Sequence, residues 1–326
     1  MLTARIGIVV IGRNEELRLE QCLQSIPIEA HQTVYVDSAS SDNSVKVAER
    51  LGVNTLVLNT DRPMTAARAR NEGFAALVKE LPELEYVQFV DGDCVLDASW
   101  LETAAAHLGK SPSAAVVCGR RRERYPEASA YNRQIDIEWD QPTGSVDSCG
   151  GDAMFRAEAL SQVGGFLASR IAGEEPELCL RLRRHGYEVH RLHAPMTTHD
   201  ANMHHFGEWW TRSVRNGYAV VSGAWLHRAG PERFNMRESL RIFGWAIAIP
   251  ALIVFGGLVY AELRWLLALY PIQYLRLLYS QKQRQLCDAL LWALFNLLGK
   301  FAELRGAITF LQERIRVSAP KLIEYK

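Results

Sequence analysis

A surplus of either charge is missing from this chain. Lys and Arg number 37, Asp and Glu number 37, and the formal net charge over 326 residues is +0. That balance excludes a generally basic nucleic-acid binder and an acidic tail protein. The six cysteines (Cys22, Cys94, Cys118, Cys149, Cys179, Cys287) form no C-x-x-C pair, so neither a zinc site nor a disulfide framework is indicated, and their use suits a reducing compartment. Internal repeats and low-complexity segments are also missing. Met1 to Arg5 runs straight into an apolar stretch without a long hydrophobic leader, so no signal peptide is expected. The first apolar run is followed by Gly12-Arg13-Asn14-Glu15 instead of G-x-G-x-x-G, which disfavours a nicotinamide dehydrogenase. Hydrophobic residues at 48% and charged ones at 23% exclude disorder, and a mean hydropathy of -0.09 excludes a protein built of membrane helices throughout.

What is present is an alternation. Ile6 to Ile11 is a continuous β-branched apolar run, the pattern of a strand buried on both faces of a parallel sheet. Helix-like Glu15 to Ser25, strand-like Thr33 to Val36, a capped helix from Ser41-Asp42-Asn43-Ser44 to about Leu51 and strand-like Val53 to Leu58 follow. Thr65 to Leu81 then reads as a helix and Tyr86 to Val90 as another buried strand. Four such units predict an α/β fold with a doubly wound, mostly parallel sheet. Ligands of such sheets sit beyond the carboxyl ends of the strands, where Asn14-Glu15, Asp37-Ser38 and Asp91-Gly92-Asp93 all fall. Further strands are expected at Ala114 to Arg122 and Val189 to Leu192. Between them lie an excursion rich in arginine and aromatics, a tight turn at Ser148 to Asp152, and helices at Arg156 to Val163 and Glu175 to His185.

Beyond about Gly230 the composition changes. Ile242 to Ala261 carries no charged residue, and a helix of about 20 residues spans the hydrocarbon of a bilayer, roughly 30 Å. Residues 265–304 read as a hairpin or as interfacial helices, with Arg276 and Pro271 interrupting the first run. Two regions are therefore expected, a catalytic domain over 1–230 and a helical membrane-associated region over 231–326. A packing or dimerisation module is the other environment such apolar runs serve, and a homo-oligomer is compatible with it.

The strongest local signal is Asp91-Gly92-Asp93, two carboxylates one residue apart at the end of a buried strand. Hard oxygen ligands held by a turn suit Mg²⁺ or Mn²⁺ and leave positions open for phosphate oxygens. Turn residues of no catalytic role are the plain alternative. Asp37 ends the second strand, where a carboxylate accepts hydrogen bonds from a base or ribose. Glu174 and Glu175 open a helix, where acidic residues are favoured by the dipole alone.

In order and spacing these pieces resemble the family 2 glycosyltransferases of the GT-A fold over about Ile6 to Tyr218. The resemblance is carried by Val9 to Glu15, Val36 to Ser44, Ala67-Arg68-Ala69-Arg70-Asn71-Glu72-Gly73, Asp91-Gly92-Asp93, Gly150-Gly151-Asp152-Ala153-Met154-Phe155-Arg156 and Gly173-Glu174-Glu175 onward to Leu182. It implies an enzyme of the hexosyltransferase type that moves a sugar from a nucleotide diphosphate to a hydroxyl, with inversion at the anomeric carbon. By the same resemblance Asn14, Glu15 and Asp37 hold the nucleoside, Arg68 and Asn71 lie near the nucleotide or sugar, and Gly151 and Asp152 belong to the donor site. Asp91 and Asp93 match the pair that holds Mg²⁺ or Mn²⁺ on the donor diphosphate, with His199 as a third ligand, a place for which His190, His193, His204 and His205 compete in sequence. Glu175, or Glu174 in its place, matches the general base, although Glu stands where the family has Asp.

The donor is then a UDP-, GDP- or dTDP-linked sugar. The apolar tail places the acceptor in a membrane plane, as a lipid, a lipid-linked saccharide or a surface glycan, with the enzyme on the cytoplasmic face. Nucleic acid is not an expected partner. Asp91-Gly92-Asp93-Cys94-Val95 also fits haloacid-dehalogenase-type phosphatases, but there the motif follows the first strand of its domain. A membrane-attached sugar-nucleotide binder without turnover is the non-enzymatic alternative.

Overall fold

The computed structural model describes residues 5–316. Within them one compact unit is formed by 5–124 and 139–201, and a second by 125–138 and 202–316. The compact division and the composition change near Gly230 fall at different points.

The first unit carries a nine-stranded mixed sheet in the order β3-β2-β1-β4-β8-β6-β9-β5, with β7 paired to β9. Its strands are β1 (Ile6–Gly12), β2 (Thr33–Asp37), β3 (Asn54–Val57), β4 (Tyr86–Asp91), β5 (Cys94–Leu96), β6 (Ala114–Glu123), β7 (Gly144–Ser145), β8 (Ala153–Arg156) and β9 (Glu188–His199). Helices α1 (Glu16–Gln24), α2 (Ser44–Arg50), α3 (Ala66–Glu80), α4 (Trp100–Lys110), α5 (Ala130–Trp139), α6 (Ala157–Gln162) and α7 (Glu174–Arg184) follow in chain order, α5 falling almost wholly in the second unit. β1 to β4 are mutually parallel, as their mainly apolar runs predict. β8 is antiparallel to both β4 and β6, which makes the sheet mixed.

Ile8, Val9, Val10, Val34, Val36, Phe89 and Val90 are fully buried, each worth about 1.5–3 kcal/mol for the larger side chains. Phe89, Phe155 and Phe166 meet edge to face at 5.3–6.0 Å. Trp100 donates its indole N–H to Gln88 at 2.8 Å, so this buried polar pair is satisfied.

Register positions the chemistry. Ile11 lies opposite Asp91 and Gly12 opposite Asp37, so both carboxylates flank the carboxyl end of β1. The pairing of Phe89 with Ala153 brings Asp152 beside β4, and that of Cys94 with His199 brings the end of β9 to Asp93.

The second unit is helical: α8 (Phe206–Leu226), α9 (Met236–Val259), α10 (Leu269–Ser280, after a 3₁₀ stretch Ala261–Ala268) and α11 (Leu286–Arg316). α8 and α11 cross at glycine. A Cβ on Gly217 would stand 2.0 Å from the Glu303 carbonyl oxygen, and one on Gly306 1.9 Å from that of Val214, so only glycine allows this approach. α9 contains two π turns, 244–248 and 252–256, on either side of Pro250. Proline removes a helical N–H and crowds the preceding turn, and wider turns accommodate it. Tyr270 donates its hydroxyl to the Trp245 carbonyl at 2.8 Å beside the first of them. Among the described residues α9 is the one helix long and apolar enough to cross a membrane, and 17% of its most apolar window is buried. Phe255, Leu258, Val259 and Trp265 are each more than 70% exposed.

Pro271 does not interrupt its run. It stands in the first turn of α10, just past the point where the 3₁₀ stretch Ala261–Ala268 passes into the α-helix. The excursion after β6 contains α5, and α11 continues past Leu304 to Arg316.

Candidate active site

The carboxyl ends of β1 and β2 are tied together by side chains. Asn14, in the left-handed region at φ 57, donates its backbone N–H to the Ser40 hydroxyl at 2.8 Å and accepts the Ser41 N–H on Oδ1 at 2.8 Å. Asp37, fully buried, accepts from the Tyr35 hydroxyl at 2.8 Å and the Ser40 N–H at 2.7 Å. Burial first, and then the adjacent Asp37 carboxylate, push the Tyr35 phenol far above its ordinary range. Glu15 is buried, pairs with Arg18 at 2.7 Å and donates its own N–H to Ser44 at 3.0 Å. Asn14, Glu15 and Asp37 thus lie on one rim, as the strand ends predict.

At the end of β4, Asp91 accepts from Arg70 at 2.8 Å and from both terminal nitrogens of Arg121 at 3.3 Å. Arg70 is 3% exposed and also donates to Glu174 at 2.8 Å. Burial opposes its charge, but Asp91 and Glu174 outweigh burial and leave the guanidinium held above its ordinary value. Arg121 further contacts Asp152 at 3.2 Å and stacks over the Trp139 ring at 4.6 Å. Asp152 is fixed in turn by the Asp91 N–H at 3.0 Å and the Thr197 hydroxyl at 2.8 Å. Gly151 leaves room here: a Cβ would come within 3.0 Å of Arg70 Nη2 and 3.2 Å of Asp91 Oδ2.

Asp93 and His199 meet at 3.2 Å through Nε2, while Nδ1 of the same ring faces Glu123 at 3.3 Å. All three are buried. Burial, then Arg121, hold the imidazole below its ordinary value against the pull of Glu123. A carboxylate behind one ring nitrogen and a second carboxylate beside the other is the arrangement that orients a histidine ligand toward a metal. Ligand atoms of Asp93, Cys94 and His199 lie within 4.8 Å of one another, as do those of Asp91, Cys94 and Asp152. Five carboxylates, of Asp91, Asp93, Glu123, Asp152 and Glu174, gather here with His199 and the two guanidiniums of Arg70 and Arg121. The carboxylate and imidazole donors of Asp91, Asp93 and His199 suit a divalent ion such as Mg²⁺ or Mn²⁺.

The two glutamates opening α7 point to different partners. Glu174 faces Arg70, whereas Glu175 Oε1 accepts from the Cys149 N–H at 2.5 Å and the Cys179 thiol at 3.0 Å. Gly173, at φ 69, turns the chain into the helix in the left-handed region that favours glycine.

Arg68 and Asn71 make contacts of their own. Arg68 binds Glu72 at 2.7 Å, the Asn59 carbonyl at 2.9 Å and the Arg62 carbonyl at 3.0 Å, clamping the loop before α3. Asn71 exchanges two hydrogen bonds with the Phe166 backbone, at 2.7 and 2.9 Å. Both line a cavity of about 490 Å³ with Val57, Asn59, Arg62 and Glu72.

Arg70, Arg121, Glu123 and Trp139 complete the cluster, and the motifs read from the sequence assign none of them a role. For Arg70 a signal exists: it falls on the stripe Ala67, Arg70, Phe74, Leu77 of α3, all buried, and an arginine on a buried stripe requires counter-ions. Arg121 and Glu123 sit in a charged strand end whose facing residues come from β9, and no local pattern marks them.

A mixed sheet that brings an Asp-x-Asp pair and a helix opening with two glutamates to its strand ends has the architecture of the GT-A fold. Residues 86–300 match the family described as Glycosyl transferase family group 2, and residues 7–164 match Glycosyl transferase family 2. The chain belongs to the family 2 glycosyltransferases. An uncharacterized glycosyltransferase of Rickettsia bellii is 37% identical over 57 residues, 18% of this chain. The match spans 19% of that relative's length. Among solved structures, the mannosyltransferase PcManGT from Pyrobaculum calidifontis, in complex with GDP-Man and Mn²⁺, superposes with a TM-score of 0.60 at 17% identity, over 95% of this chain and 88% of that one. S. aureus TarS 1-349 in complex with UDP-GlcNAc gives 0.50 at 13% identity, over 96% and 92%. These likenesses establish the GT-A fold, with a helical region following it.

Proposed function

We propose that this glycosyltransferase moves a hexose from a UDP-, GDP- or dTDP-linked donor to a hydroxyl of a lipid, lipid-linked saccharide or surface glycan, inverting the anomeric carbon. The observation that carries the reading is the pairing of Asp91 with Glu174, the first residue of α7, through the shared side chain of Arg70, at a strand end where Asp93 meets His199.

In this reading Asn14, Glu15 and Asp37 hold the nucleoside, and Gly151 and Asp152 form the floor beneath the diphosphate. Asp91, Asp93 and His199 would hold Mg²⁺ or Mn²⁺, and the ion supplies Lewis-acid stabilisation of the leaving diphosphate. Arg70 and Arg121 keep Asp91 fixed and add positive charge where the leaving group gathers negative charge. Glu175 takes the proton of the attacking acceptor hydroxyl. Glu174 holds Arg70 in place and is the second candidate for that proton. Mn²⁺ and GDP-Man in the complex of PcManGT, and UDP-GlcNAc in that of TarS, support the choice of metal and donor class.

Residues 1–230 carry the transfer chemistry in this proposal and 231–326 attach the enzyme to the cytoplasmic face of a membrane. The exposed apolar length of α9 supports attachment, since lipid removes that surface from water. A thermal-shift panel of nucleotide sugars on the detergent-solubilised chain, with Mn²⁺, Mg²⁺ or EDTA, tests the donor site. One nucleotide class should raise Tm, and EDTA or Asp93→Ala should abolish the rise. No shift with any nucleotide on a folded sample would remove the metal-bridged donor.

A further inference from the structure

Glu175 also belongs to a cluster whose two cysteines the transfer chemistry leaves unused. The ligand atoms of Cys149, Glu175 and Cys179 lie within 4.8 Å of one another, and all three residues are buried. The two sulfurs are 3.6 Å apart and Cys179 Sγ is 3.0 Å from Glu175 Oε1. Both cysteines are free, and their separation far exceeds the disulfide length of about 2.05 Å. The local sequence builds the cluster. Cys179 follows Glu175 by one helical turn and shares its face of α7. Cys149 precedes Gly150, whose φ of 91 is a glycine conformation that turns the chain there.

We propose that Cys149, Cys179 and Glu175 form a binding site for a thiophilic d¹⁰ cation of the Zn²⁺ type, separate from the oxygen and imidazole set at Asp91, Asp93 and His199. A tetrahedral ion with Zn–S bonds of about 2.3 Å sets its two sulfurs about 3.8 Å apart, close to the 3.6 Å found. Thiolates select soft or borderline cations over Mg²⁺ and Mn²⁺, and this cluster offers two of them where the Asp93–His199 set has the single thiol of Cys94.

The exchange is neutral in charge. Two S–H bonds break, two sulfur–metal bonds form, and two protons pass to solvent. The cluster carries one formal negative charge before, on the carboxylate, and one after, so no net charge is added to a buried place. Burial pushes the Cys179 thiol up to about 11 and Cys149 well above its ordinary value, so the ion meets protonated thiols and must displace their protons.

One consequence rests on the reading of Glu175 as the base. A carboxylate engaged by the cation no longer accepts the acceptor's proton, so Zn²⁺ inhibits transfer that Mn²⁺ or Mg²⁺ sustains.

Cd²⁺ is the probe, titrated into the full chain carrying Cys287→Ala to remove the exposed thiol, with excess Mg²⁺ present. A thiolate-to-cadmium charge-transfer band should saturate at one ion per chain. It should be lost in Cys179→Ala and in Cys149→Ala, each checked for a parental Tm, and need more Cd²⁺ in Glu175→Gln. No band on the folded chain, or a band surviving both cysteine substitutions, overturns the site whatever transfer does. Zn²⁺ lowering turnover of the Mn²⁺-supplied enzyme with the midpoint of the binding curve supports the coupling. A band at one ion per chain with turnover untouched keeps the site and removes Glu175 as the base.

Discussion

Glu175→Gln separates the two glutamates most sharply. The amide oxygen of glutamine still accepts from the Cys149 N–H and the Cys179 thiol, the two bonds that hold the present side chain, so the helix opening and the loop at Cys149 should stay as they are. Only the basic oxygen is lost. General-base catalysis is worth about 10²–10⁴ in rate, or about 2.7–5.4 kcal/mol at 1.36 kcal/mol per decade. Turnover with saturating donor and Mn²⁺ should fall by that factor, while donor KM and Tm stay near the parent's. Glu174→Gln supplies the contrast. It weakens the Arg70 contact at 2.8 Å, leaves that guanidinium to Asp91, and should raise donor KM and lower Tm more than it lowers turnover. The assay is release of the nucleoside diphosphate under initial-rate conditions. A Glu175→Gln enzyme within about threefold of the parent, far below the range for a general base, refutes the assignment. A loss confined to Glu174→Gln transfers it to that residue.

Three further outcomes are expected. Glu123→Gln removes the carboxylate behind His199 and should weaken Mn²⁺ binding about 10–100-fold by calorimetry, the range for such supporting partners, with Asp91 and Asp93 untouched. Arg70→Met leaves the Asp91 and Glu174 carboxylates without their shared cation and should cost about 3–5 kcal/mol in denaturant titration, as for a broken buried pair. A cost below about 1 kcal/mol would class the pair with surface ion pairs. Gly306→Ala drives a Cβ into the Val214 carbonyl at 1.9 Å and should lower Tm of the helical unit by more than the usual overpacking cost of about 1–3 kcal/mol implies. A parental Tm would show that α8 and α11 yield freely.

Strands β1 to β4 are legible in the sequence because each reads as a mainly apolar run bounded by turns. β8 is not, since Ala153–Arg156 is four residues long and its place between β4 and β6 depends on pairing across the sheet. The same limit governs the site. Asp37, Asp91 and Asp93 announce themselves at strand ends. His199 competes in sequence with His190, His193, His204 and His205, and the antiparallel pairing of Cys94 with His199 is what sets it beside Asp93. Arg68 and Arg70 differ by two positions, about 200° around a helix. Both are buried, but the apolar spacing Ala67, Phe74, Leu77 is shared by Arg70, and that face turns it to Asp91. The helical region is legible in composition, while the glycine crossing of α8 and α11 joins residues far apart in sequence and leaves no local trace.

The division of the chain also bears on how it is made. Segment 125–138 packs with helices that lie far downstream: Arg133 pairs with Asp288 across 155 residues, and Tyr131 meets Phe295. At about 5–20 residues per second of synthesis, Asp288 is added roughly 8–30 s after Arg133. The segment's nearer partners Met203 and Arg212 come first, but the pairing with Asp288 must wait, and the ribosome holds a chain whose first sheet is interrupted by a segment that belongs elsewhere. Chains cut short from the C-terminal end should therefore become chaperone clients long before the cut reaches the strands of the sheet.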